Sequence, residues 1–111
     1  MTSRHLGELE QLIMLAVMRL KDDAYGAAIQ RELSDRAGRE VALGTVYVTL
    51  SRLEAKGLVR SWLGESTPER GGKARRHYGL EPLGVTALND TRSALARMWE
   101  GMGSHSPRRT R

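Results

Sequence analysis

Between residues 43 and 57 the chain carries the pattern that most restricts its fold. Leu43, Val46, Leu50 and Leu53 recur at the spacing of one helical face, and Gly57 closes the run. A helix over Leu43–Lys56 with Gly57 as its C-terminal stop follows directly. Immediately beyond lie two short segments rich in β-branched or aromatic residues, LVRSWLG and ARRHYGL. They flank ESTPERGGK, whose Pro and paired Gly read as a loop. A helix running straight into a Gly-rich hairpin leaves few architectures open.

The flanking sequence narrows them further. Leu6, Leu9, Leu12, Ile13, Ala16, Val17 and Leu20 predict a first helix over 7–20 with a wide buried stripe. KDD interrupts it, and Asp22 or Asp23 is a suitable N-cap for a second helix over 25–36. That helix would bury Tyr25, Ala28, Ile29 and Leu33 and stop at Gly38. Pro82 opens a fourth helix over 82–100. The order helix, helix, helix, hairpin, helix describes a mainly α chain with a small β-hairpin: a winged helix-turn-helix domain over 1–81, one C-terminal dimerisation helix over 82–102, and a disordered basic tail over 103–111.

At 111 residues the chain amounts to one domain. Phe is absent, so the interior must be built from Leu, Val, Ile, Met and Ala. Zero Cys excludes disulfides, thiolate metal sites and thiol redox sensing, and suits a reducing compartment. No segment reaches the roughly 20 apolar residues of a membrane span, and the N-terminus does not resemble a signal peptide, so a cytoplasmic protein is expected. The formal net charge is +5, of which Arg108, Arg109 and Arg111 supply +3, so the body is only mildly basic. The placement of charge, not its sum, has to carry any argument for nucleic acid.

That placement is informative. With Leu43, Val46, Leu50 and Leu53 turned inward, Gly44, Val48 and Arg52 face outward, flanked by Thr45 and Ser51. A merely solvated helix face tends to carry Glu and Lys. Small and hydroxyl residues near a helix start instead let the helix enter the major groove closely, with Thr45 and Thr49 able to bond phosphate or base edges. Arg52 and Lys56 lie where backbone phosphate would be reached. The hairpin adds Arg70, Lys73, Arg75 and Arg76 beside the flexible Gly71 and Gly72. Each part alone also suits a solvated surface; their succession favours double-stranded DNA.

The stretch Gly-x-x-Tyr-x-x-Leu-x-Arg-Leu-Glu-x-x-Gly-Leu is present as Gly44, Tyr47, Leu50, Arg52, Leu53, Glu54, Gly57 and Leu58. With AYG at 24–26 and the wing PERGGKARRHY, it resembles the PadR family of winged-helix regulators, in particular the short branch with a single C-terminal helix. The resemblance spans about Leu6 to Met98. It implies a homodimer with cross-packed C-terminal helices. It also implies that Tyr47 and the start of the third helix contact the major groove, while the wing contacts phosphate or the minor groove. A roughly palindromic operator with half-sites about one helical turn apart would follow. Members are mostly repressors relieved by a small, often aromatic, effector. The chain departs from the family pattern at Ala42, where a capping Ser is frequent, at Glu81, in place of Thr, and at His77, where an aromatic is common.

For the dimer, Leu88, Leu95, Met98, Trp99 and Met102 form the expected apolar face of the fourth helix. Trp99 is read first as an interface anchor and second as the wall of an effector pocket. Trp62 is expected in the core, and Tyr25 either touches DNA or sits half-buried with its hydroxyl outward. The tail SPRRTR is read as a solubilising end, or else as an extra phosphate-binding arm. His5, His77 and His105 have no partners at ligand spacing, so neither a metal nor another cofactor is expected. No nucleophile constellation and no Walker-type Gly motif occurs, so no enzyme is expected. The competing reading is a winged-helix protein–protein interaction module without specific DNA binding.

Overall fold

The computed structural model describes residues 6–64 and 74–103. Its elements are α1 (Glu8–Leu20), a 3-10 turn (Lys21–Asp23), α2 (Gly26–Ala37), α3 (Leu43–Ala55), β1 (Val59–Leu63), β2 (Arg76–Leu80) and α4 (Pro82–Trp99). The predicted order of helices and hairpin is the observed one. Ile13, Met14 and Val17 of α1, Ile29 and Leu33 of α2, and Val46, Leu50 and Leu53 of α3 meet in one core. Val59 and Tyr78 close it from the sheet, and Ala87 and Leu88 from α4.

Each helix end has a local cause. α2 stops at Gly38, whose φ of 66° is left-handed. α3 ends in a pair of bonds, Leu58 N–H to Leu53 O at 3.0 Å and Gly57 N–H to Glu54 O at 2.9 Å, with Gly57 at φ 78°. This double closure satisfies carbonyls that would otherwise be orphaned and turns the chain into β1. Leu58 O then accepts the Glu81 N–H at 2.9 Å, so the hairpin returns to where it left and α4 starts beside the end of α3. Gly84 makes that approach possible, because a Cβ there would overlap the Leu58 carbonyl oxygen and lie 3.2 Å from Met14 Cε.

Several expectations are corrected. Neither Asp22 nor Asp23 caps α2: both belong to the 3-10 turn, and Tyr25, in extended backbone at φ −117° and ψ 165°, is the N-cap. Tyr25 therefore precedes the helix and is only half-buried. Leu43, at the first turn of α3, is exposed at its rim. Trp62 is 38% exposed and outside the core. The strand period of two explains it: with Val59 facing inward, Arg60 and Trp62 must face outward. Register pairs them with Gly79 and His77 on that outer face. Leu88 is only 8% exposed in the single chain, so it packs in the chain's own core and is not an open dimer contact.

Candidate nucleic-acid interface

The outer face of α3 presents Gly44, Thr45, Tyr47, Val48, Ser51 and Arg52, all exposed. Its N-cap, Ala42, makes no side-chain hydrogen bond to the first turn. The leading N–H groups are thus left open at the positive end of the helix dipole, an arrangement suited to an anion such as phosphate. Thr49 does not join this face. It lies three residues after Val46 and four before Leu53, which turns it onto the buried stripe at 3% exposure. Its hydroxyl is unavailable to DNA.

Tyr47 is 41% exposed and leans on the start of α2. Its ring lies where a Cβ on residue 26 would stand, so the seat exists because residue 26 is glycine. The AYG segment thereby shapes the outer face of α3, while its own polar contact, the Ala24 carbonyl accepting the Tyr78 N–H at 2.8 Å, goes to β2.

At the other end of α3, Lys56 is held by α1, donating from Nζ to Glu10 Oε2 at 3.0 Å instead of extending freely toward phosphate. Glu10 Oε1 accepts the Gly7 N–H at 3.0 Å. Burial pushes the Glu10 carboxyl upward. The hydrogen bonds from Gly7 and Lys56, with the charges of Lys56 and Arg52, outweigh it and hold the group below its ordinary value of 4.5. Glu10 therefore balances the cations at this end of the helix.

In the hairpin, Arg70 and Lys73 lie outside the described residues. Arg76 is exposed; its Nη1 donates to Ser61 Oγ at 3.0 Å, and Ser61 Oγ donates to Glu54 Oε2 at 2.9 Å, tying the wing to the last turns of α3. Arg75 behaves differently. Its guanidinium carbon stands 3.9 Å from the centre of the Tyr25 ring, and its Nε is buried without a hydrogen-bond partner among the described residues. His77 meets Tyr25 edge-on at 5.8 Å and stacks on Trp62 at 6.0 Å. Arg60 lies 5.5 Å over Trp62 and donates to Leu80 O at 2.7 Å.

Arg60 was missed in the sequence, although the alternation that turns Trp62 outward places Arg60 on the same face. Tyr78, on the inner face, has its phenol pushed up by burial and by the neighbouring Tyr47, against the lowering charge of Arg76, with Glu54 raising it further. α3 and the hairpin are thus electrostatic neighbours.

On α4, Leu95, Met98 and Trp99 are 52%, 77% and 58% exposed, and Met102, expected on the same helix face, lies past the helix end at Trp99 and is 50% exposed. Leu15 and Met18 of α1 are also exposed, and with Val85, Leu88 and Leu95 they line a groove between α1 and α4. Trp99 does not line that groove. No helix among the described residues is long and apolar enough to cross a membrane. Among the described residues, no three His, Cys, Asp or Glu side chains come together as metal ligands would.

A family model described as the transcriptional regulator PadR-like family matches residues 14–90. The chain is 42% identical over 77 residues to "Transcriptional regulator Rv3488" of Mycobacterium tuberculosis, covering 69% of this chain and 67% of that protein. Among solved structures, a PadR-like transcription factor from Bacteroides fragilis superposes with a TM-score of 0.72 at 30% identity, over 85% of each chain. A PadR family transcription regulator from Clostridium difficile R20291 gives 0.70 at 27% identity, over 86% of this chain and 95% of that one.

Proposed function

The chain belongs to the PadR-like family of transcriptional regulators, and from that premise we propose that it is a cytoplasmic, homodimeric repressor that binds a roughly palindromic operator and is released by a small aromatic effector. The observation that carries the DNA-binding part is the outer face of α3. Small exposed side chains, an uncapped first turn and a glycine-seated Tyr47 stand together on a helix whose opposite face is anchored by Val46, Leu50 and Leu53. Gly44, Thr45, Tyr47 and Val48 read the major groove, and the open amides and Arg52 take backbone phosphate. The wing grips through Arg70, Lys73 and Arg76.

Two-fold symmetry comes from α4 and the turn that follows it. Leu95, Met98, Trp99 and Met102 form an apolar surface uncovered within one chain, and the groove edged by Leu15 and Met18 offers apolar area nearby. On this reading residues 1–81 carry DNA recognition, residues 82–102 mediate dimerisation in the manner of the short family branch, and the tail over 103–111 is a solubilising end. Trp99 anchors the interface and walls the effector pocket once a second copy is present.

The test is fluorescence anisotropy of the purified chain with the DNA upstream of its own gene, against shuffled DNA of equal composition, across a salt series. Tighter, salt-sensitive binding to the upstream DNA is expected. Equal affinity for both duplexes would refute the reading.

A further inference from the structure

Tyr25 stands at a junction. Its backbone pairs with His77 as an antiparallel bridge, and the neighbouring Ala24 carbonyl accepts the Tyr78 N–H at 2.8 Å, so residues 24 and 25 lie along the free edge of β2. Its ring carries the Arg75 guanidinium 3.9 Å above one face and meets His77 edge-on, and His77 continues the stack to Trp62. The next residue, Gly26, is the one against which Tyr47 of the recognition helix rests. Two consecutive residues therefore touch the wing on one side and the DNA-facing helix on the other.

A two-stranded hairpin has little stability of its own and takes its orientation from what it packs on. Here Val59 and Tyr78 fix its inner face, and the Tyr25 stack fixes its outer face. Arg75 is committed to that stack. A guanidinium at 3.9 Å is well within the roughly 6 Å reach of a cation–π contact. Its Nε has been withdrawn from solvent, unlike the exposed Arg76 one residue on.

We propose that Tyr25 and Arg75 are positioning residues that lock the wing at a fixed angle to α3, so that helix and wing meet DNA as one rigid unit, and that Arg75 is not a phosphate contact. This inference rests on the DNA-binding reading above. Its energetic role is preorganisation: an unlocked wing has to be ordered at the moment of binding.

The experiment uses the full chain and four variants: Tyr25→Phe, Tyr25→Leu, Arg75→Gln and the Tyr25→Leu/Arg75→Gln double variant. Operator affinity is measured across salt, and hydrogen exchange at the Tyr78 amide is measured without DNA. Tyr25→Leu and Arg75→Gln should each weaken operator binding about tenfold, the size of one good cation–π contact. The double variant should be no weaker than the poorer single one. Tyr25→Phe keeps the ring face and should bind as wild type. In the free protein, Tyr78 exchange should accelerate in both single variants while amides of α1 are unchanged.

Arg75→Gln lowering the salt slope by about one ion, with Tyr25→Leu binding normally, would make Arg75 a phosphate contact and overturn the proposal. Multiplying losses in the double variant would overturn it as well, as would faster Tyr78 exchange with unchanged affinity. If the wild-type chain bound no operator, the DNA-binding reading would fall, and unchanged Tyr78 exchange would separately dispose of the lock.

Discussion

Replacing Gly26 by Ala separates folding from recognition. A Cβ at residue 26 would lie 2.7 Å from Tyr47 Cε1, about 1 Å inside ordinary van der Waals contact. The obstructing atoms are the far end of a side chain that is 41% exposed, so the ring can swing into solvent. Displacing it from its seat costs about 0.5–1.5 kcal/mol. Exchanging Gly for Ala in a helix returns up to about 1 kcal/mol. Stability by urea denaturation should therefore stay within about 1 kcal/mol of wild type. Operator binding should fall about 10- to 100-fold, because a well-placed recognition contact is worth about 1–3 kcal/mol. The decisive comparison adds the substitution to a Tyr47→Ala background, where no ring remains to be displaced. There, Gly26→Ala should cause no further loss of affinity. A Gly26→Ala variant that binds like wild type, or one that loses as much affinity without Tyr47 as with it, would refute the argument.

The same substitution at Gly84 should act in the opposite way. The new Cβ would overlap the Leu58 carbonyl and press on Met14, neither of which can swing away, so the urea midpoint should drop by the equivalent of about 2–3 kcal/mol. Thr45→Ala should change the preference among operator variants in a binding selection. Thr49→Ala, at a buried site, should cost about 1 kcal/mol of stability and leave preference unchanged. Glu10 has its carboxyl held below its ordinary value of 4.5, so it stabilises the fold above that value and the contribution fades as pH falls through the lower folded value. Denaturation of wild type and Glu10→Gln should differ by at most about 1 kcal/mol at pH 7, given the exposure of Lys56, and converge once the pH has fallen below the lowered folded value. Leu95→Lys combined with Met98→Lys should yield a monomer by light scattering, with a lower urea midpoint that no longer depends on protein concentration as a dimer's does; both side chains are exposed within one chain, so the substitutions act on association and not on the chain's own core.

What could be read in the sequence was whatever depends on periodicity and punctuation. Val46, Leu50 and Leu53 lie fully buried where their spacing put them, and Gly38 and Gly57 both adopt the left-handed backbone expected of helix stops. Thr49 was misassigned because a hydroxyl suggested an outward position, while its place in the turn, between Val46 and Leu53, decided otherwise. Trp62 was misassigned because a large aromatic suggested the core, against the strand's alternation. Leu88 shows a different limit. Helix spacing groups it with Leu95, but only the tertiary path of α4 determines that the first turns lie on α1 while the later ones project. The Tyr25, Arg75 and His77 stack was illegible for the same reason, since it joins residues about fifty positions apart.

The bare N-cap at Ala42 sets a limit on how far this regulator can be improved. Installing Ser or Asp there would supply the missing partner to the first turn of α3 and add about 1 kcal/mol to the fold. On the proposed reading those same amides are what a DNA phosphate binds, so an engineered cap is a built-in competitor for the operator, and an anionic one also repels it. Thermostability and affinity thus draw on a single set of donors, and selection for the first at residue 42 works against the second.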